Sequence, residues 1–101
     1  MALEVRFQDA SLDKLESDSS AGEGYSPAIV KAFRKRMQLI RAAPDERVLY
    51  EWKSLHFEKL KGDRDHQHSI RLNEKWRLIV EFEGEAPNKT IVIVGIEDYH
   101  H

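Results

Sequence analysis

Apolar residues recur along this chain in two rhythms, and the switches between them lay out its elements. In "LEVRF", Leu3, Val5 and Phe7 alternate with charged residues, which predicts a short strand with one buried side. "SLDKLESD" suits a short helix capped near Asp9 or Ser11. "SDSSAGEGYS" is the one stretch rich in Ser and Gly and reads as a connecting loop. Ser26-Pro27 is a strong helix start, a capping hydroxyl followed by a ring already fixed near helical φ. Ile29, Phe33, Met37 and Ile40 then recur at helical spacing and face a core. The helix runs to about Ala43, where Pro44 stops it.

"DERVLYEW" adds another helical turn or two, and "SLHFEKLKGDRD" is an irregular crossing closed by a Gly-Asp turn. Three strands follow: "HQHSIRLN" and "KWRLIVEF" around a tight turn at Asn73-Glu74-Lys75, then "TIVIVGI" after a turn through "GEAPNK". The expected fold is α+β: an N-terminal strand, two helices, and a C-terminal antiparallel meander, forming a four-stranded sheet in one domain over residues 1–101. A length of 101 residues with 41% hydrophobic composition fits a single modest core. The absence of cysteine excludes disulfides, thiolate nucleophiles and Cys-based zinc sites. "MALEVRFQDA" does not read as a signal peptide and no apolar run approaches a membrane span, so a cytoplasmic protein without a membrane partner is expected.

Register in the central hairpin brings in chemistry. A three-residue loop at 73–75 pairs Leu72 with Trp76 and Ile70 with Leu78 on an apolar face, and sets Arg71 against Arg77 on the other. Like charges directly opposite cost roughly a few tenths to 1 kcal/mol. Such a pair invites an anion: either Glu81 or Asp98 neutralises it, or a phosphate does, which guanidinium groups grip in a bidentate manner. The net charge of −2 argues against a generic nucleic-acid binder, but the charges are segregated. From Gly24 to Pro44 there are Lys31, Arg34, Lys35, Arg36 and Arg41 and no acid. Lys31, Arg34, Lys35 and Arg41 fall opposite the apolar stripe; this is either a plain solvated face or a basic strip for RNA.

Five histidines remain. His56 sits among apolar residues in "SLHFEKL". His66-x-His68 and His100-His101 have spacings that metals use, but no EXXH-type helix or clear carboxylate partner accompanies them, and neither a metal nor another cofactor is expected. The strand "TIVIVGI" ends on two acids, a phenol and two imidazoles, "EDYHH". His56, Asp98, Tyr99, His100, Arg71 and Arg77 together hold what acid–base cleavage of a phosphodiester needs: groups to move two protons, and cations for the phosphorane charge.

"SLHFEKLKGDRDHQHSIRLNEKWRLIVEF" with the closing "GIEDYH" resembles the HigB toxins, the plasmid-maintenance killer branch of the RelE/ParE superfamily. The "L-K-G-D-R" turn, the "S-I-R-L-N-x-x-W-R" hairpin and the terminal "E-D-Y-H" carry the likeness over Leu55 to His100. The resemblance implies a metal-free, ribosome-dependent mRNA endonuclease that inhibits translation. It implies His56, Asp98, Tyr99, His100, Arg71 and Arg77 as catalytic residues, and Lys59 and Lys61 beside His56 as RNA contacts with the helical strip. It implies as partners a HigA-type helix-turn-helix antitoxin, the ribosome and mRNA, with operator DNA reached only through the antitoxin. The alternative within the superfamily is a non-catalytic toxin that binds a protein such as gyrase, or a co-repressor subunit. His101 lies one residue past the motif.

Overall fold

The computed structural model describes residues 3–17, 24–85 and 89–98. The expected Ser/Gly loop falls largely outside these, as do the middle of the "GEAPNK" turn and the terminal Tyr99, His100 and His101. The elements run β1 (Glu4–Phe7), α1 (Ala10–Ser17), α2 (Pro27–Ala42), α3 (Glu46–Glu51), β2 (Glu58–Lys59), β3 (Gln67–Arg71), β4 (Trp76–Glu83) and β5 (Thr90–Asp98). Short 3-10 turns occupy Lys53–Leu55 and Gly62–Arg64.

The helix ends follow their caps. Ser26 Oγ accepts from the Ile29 amide at 3.3 Å, and Pro27 fills the first helical turn of α2. Asp45 accepts from the Arg47 amide at 2.9 Å and starts α3. No helix among the described residues is long and apolar enough to cross a membrane.

The sheet order is β1-β5-β4-β3-β2, with β1 parallel to β5 and every other neighbour antiparallel. The α+β class is as expected, with two corrections of count. The sheet has five strands rather than four, because Glu58–Lys59 pairs with Ser69 and His68 at the far edge. Both residues are exposed, so no apolar alternation announced them. The helices number three among the described residues rather than two, the third being the six-residue turn anticipated in "DERVLYEW".

The hairpin has the expected register: Ile70 lies opposite Leu78 and Arg71 opposite Arg77. Asn73 Oδ1 accepts from both the Lys75 and Trp76 amides at 2.8 Å, which fixes the tight loop. On β5 the pairing jumps from Ile79–Gly95 to Val80–Ile93, leaving Val94 as the extra residue of a bulge. That bulge lets Ile93 and Ile96, three apart, both turn toward the helices, where strict alternation would expose one of them.

One core results. Ile29, Phe33, Met37 and Ile40 of α2 pack with Leu12 and Leu15 of α1, Leu49 of α3, and Ile70, Leu72, Leu78, Val80, Ile91 and Ile93 of the sheet. Each fully buried side chain of this size contributes about 1.5–3 kcal/mol. Among the described residues the outer sheet face carries no helix-packed cluster, yet Ile79 and Val92 are buried there too, 2% exposed each. Around them run polar side chains: Arg6 with Glu83, Gln67 with Glu81, and Arg64 with both Gln67 and Glu97.

Candidate functional site

The antiparallel pairing of β2 with β3 matches Glu58 to Ser69 and Lys59 to His68. Carried two residues back along the chain, the same register sets His56 level with Arg71. Arg71 is opposite Arg77, and Arg77 opposite Glu97. His56, Arg71, Arg77 and Glu97 thus form one row across the end of the sheet, and strand alternation places the last three on the outer face, away from the core.

His56 ends the 3-10 turn at Lys53–Leu55 with φ 47° and ψ 50°, the one non-glycine residue with positive φ among the described residues. Its amide donates to Lys53 O at 3.1 Å. A β-substituted residue in this region carries a cost of order 1–2 kcal/mol, and such strain gathers at working sites. The bend turns the imidazole so that Nε2 lies 3.5 Å from an Arg71 Nη1, which donates when that nitrogen is unprotonated.

Arg71 is held from a second direction. With β2 beginning only at Glu58, the Arg71 carbonyl has no strand partner on that side among the described residues, and Arg36 of α2 donates to it through Nε at 2.9 Å. Burial, then the neighbouring Arg71 charge, pulls the Arg36 guanidinium below its ordinary value, although it stays protonated at any physiological pH. Arg36 is the cation that sequence reasoning missed. It sits in the basic segment, but nothing in the sequence alone marks which member reaches the hairpin. Arg77 donates through Nη1 to Asn73 O at 3.0 Å, which fastens it to the hairpin turn.

The two acids suggested as neutralisers have their own contacts. Glu81 accepts from Gln67 at 2.8 Å and lies 3.8 Å from His66, and Asp98 lies 3.6 Å from Lys75. Asp98 pairs with Trp76, so alternation puts it in step with core-packed Trp76 and Ile96 rather than with Arg77. Among the described residues the Arg71 guanidinium meets His56 and the Arg36 charge, and no carboxylate in an ion pair. Tyr99 and His100 lie outside the described residues.

The helical strip divides. Lys31 and Lys35 are exposed on α2, but half-buried Arg34 donates to Leu15 O at 2.9 Å, and Arg41 makes a bidentate pair with Glu16 at 2.7 Å. The segment holds no acid of its own, yet the neighbouring helix α1 supplies one, so two of the four cations fasten α1 to α2. Lys31, Lys35 and Arg41 face solvent as the strip reading expects, and half-buried Arg34 is the member that departs from it. Lys59 and Lys61 are exposed beside His56 in sequence, with Lys59 opposite His68.

The His66–His68 pair parts company. His66 faces Glu81, while the His68 ring stacks on Phe57, with centroids 4.8 Å apart and planes 4° from parallel. His68 Nε2 is 3.2 Å from Tyr50 Oη, and its buried Nδ1 has no hydrogen-bond partner. Among the described residues no three or more of His, Cys, Asp and Glu gather where they would hold a metal ion.

With this geometry in hand, likeness to known proteins narrows first to a class. The fold superposes on a YoeB/ParE toxin from Agrobacterium tumefaciens with a TM-score of 0.62 at 14% identity, covering 97% of this chain and 100% of that one. It superposes on a chain of the YoeB-YefM complex from Staphylococcus aureus with a TM-score of 0.57 at 19% identity, covering all of both chains. No curated protein matches the sequence. The family is given by sequence: the model of the HigB-like toxin, described as the RelE-like toxin of the type II toxin–antitoxin system HigB, matches residues 5–100. The chain belongs to that family of toxins.

Proposed function

We propose that this toxin is an endoribonuclease that cuts mRNA on the ribosome and so inhibits translation. The observation that carries the reading is the row of His56, Arg71 and Arg77, a proton-transferring group beside two guanidinium groups held on an exposed sheet face. In the reaction we infer, the 2′-oxygen of the message attacks the adjacent phosphorus, the bond to the 5′-oxygen breaks, and a 2′,3′-cyclic phosphate and a 5′-hydroxyl result. Arg71 and Arg77 grip the phosphate and take up the charge of the phosphorane, which bidentate donors stabilise most where charge accumulates. His56 and His100 are the two proton-transferring groups, one removing the 2′-proton and one protonating the leaving oxygen. Tyr99 stacks on or orients a base, and Asp98 orients its neighbours.

Lys31, Lys35, Lys59 and Lys61, all exposed, serve the ribosomal RNA. The partner that silences the toxin is a HigA-type helix-turn-helix antitoxin, and operator DNA is reached only through it. That a chain of this fold is solved as part of the YoeB-YefM complex supports an antitoxin partner. Work on translating ribosomes places the protein in the cytoplasm.

The test uses purified toxin and ribosomes programmed with a message. Cleavage with a 2′,3′-cyclic phosphate end is expected, with none on a message whose attacking nucleotide is 2′-deoxy. Cutting the deoxy message at the normal rate assigns the attack to water instead of the 2′-hydroxyl.

A further inference from the structure

Glu97 is the anomaly of the row. It is an acid directly opposite Arg77 on the same sheet face, where Cβ atoms stand about 4.5–5.5 Å apart and an ion pair is the natural outcome. Both of its oxygens are engaged elsewhere. Arg64, from the turn at Gly62–Arg64 beyond β3, donates through Nη1 to Oε1 at 2.9 Å and through Nη2 to Oε2 at 2.8 Å. The same guanidinium is braced by its Nε, which donates to Gln67 Oε1 at 2.8 Å, and Gln67 in turn donates to Glu81. Arg64 therefore reaches from the edge of β3, past β4, to β5, and its fork is set for one carboxylate. Arg and Glu are each somewhat under half exposed, so the pair adds little to stability. Its effect lies in where it keeps the carboxylate.

We propose that Arg64 is a positioning residue for the phosphate site: it holds Glu97 off Arg77, so that Arg71 and Arg77 meet an incoming RNA phosphate undiminished by the acid at the end of their row. This rests on the ribonuclease reading above. Without Arg64, the Glu97 carboxylate turns to the cation opposite it and competes with phosphate for Arg77. An acid in this row is then tolerable only while Arg64 holds it.

The test compares Arg64→Gln, Glu97→Gln and the double variant, with two readouts. The first is titration with inorganic phosphate, followed by NMR at the Arg77 side-chain N–H. The second is the single-turnover rate of cleavage of a ribosome-bound message. Arg64→Gln is expected to weaken phosphate binding by up to about fivefold, the upper end for one cross-strand ion pair, and to slow cleavage in step. Adding Glu97→Gln restores both, while the melting temperature stays at the Arg64→Gln level, which a merely structural role for Arg64 does not permit. Phosphate binding by Arg64→Gln equal to the wild type, or no recovery in the double variant, overturns the inference. If the phosphate titrations follow the expected pattern while the wild-type protein leaves ribosome-bound messages intact, the positioning role stands and the ribonuclease reading falls.

Discussion

On the helix side of the sheet, Ile70, Leu78, Val80, Ile91 and Ile93 are all fully buried against α2 and its neighbours. The same strands carry Arg71, Arg77, Glu81 and Glu97 on the opposite side, where charge is arranged by other charge instead of by apolar packing. The contrast teaches how so short a chain is able to hold two like charges side by side. The inner face supplies stability in increments of about 1.5–3 kcal/mol per side chain, against which a repulsion of roughly 1 kcal/mol or less between Arg71 and Arg77 is small. On the proposed function, stability and chemistry belong to opposite faces of one sheet and should respond to separate substitutions.

The largest effect is expected on the inner face. Phe33→Ala removes the aromatic at the centre of the α2 stripe and should cost about 3–5 kcal/mol, read from denaturant unfolding. A loss below about 1 kcal/mol contradicts a single core built on α2. On the proposed active row, His56→Gly separates strain from chemistry. Glycine accepts the φ of 47° without penalty, so stability should rise by about 1 kcal/mol. Cleavage should fall by about 100-fold or more with the proton-transferring group gone. A variant that both weakens the fold and cleaves normally reverses the assignment.

Smaller effects sharpen the boundary between the faces. Ser26→Ala removes the cap of α2 and should cost about 1 kcal/mol with cleavage unchanged. His68 lies on the inner side, and burial is the main cause holding its imidazole below the ordinary value. The unfolded chain therefore takes up that proton more readily than the fold does. Stability should fall as the pH drops from the ordinary imidazole value of about 6.5 toward the lower folded-state value, and be level above it. His68→Phe should flatten this part of the profile of unfolding midpoint against pH. An unchanged slope transfers the effect to another group.

What the sequence disclosed follows the same division. The inner face was legible because burial imposes a period: Ile29, Phe33, Met37 and Ile40 at helical spacing, and alternation through β4, gave the helix and the hairpin register. Arg71 opposite Arg77 followed from that register with no further information. The edge strand Glu58–Lys59 was silent because two exposed residues have no pattern. The engagement of Arg41 by Glu16, of Glu97 by Arg64, and of the Arg71 carbonyl by Arg36 were equally silent. Each joins residues 25 to 35 positions apart through long side chains whose direction is decided only once the fold exists. The parallel pairing of β1 with β5, across nearly the whole chain, was hidden because no local pattern marks which distant strand a strand joins.

The most direct test of this division is Arg71→Ala, assayed for cleavage of ribosome-bound message and for unfolding free energy on the same preparation. Cleavage should drop by about 100- to 1,000-fold, as when one donor to a developing oxyanion is removed. Stability should stay level or rise by up to roughly 1 kcal/mol as the like-charge contact with Arg77 is relieved. Cleavage at the wild-type rate, or a fold weakened in proportion to the lost activity, contradicts the claim that the outer face is the chemical one.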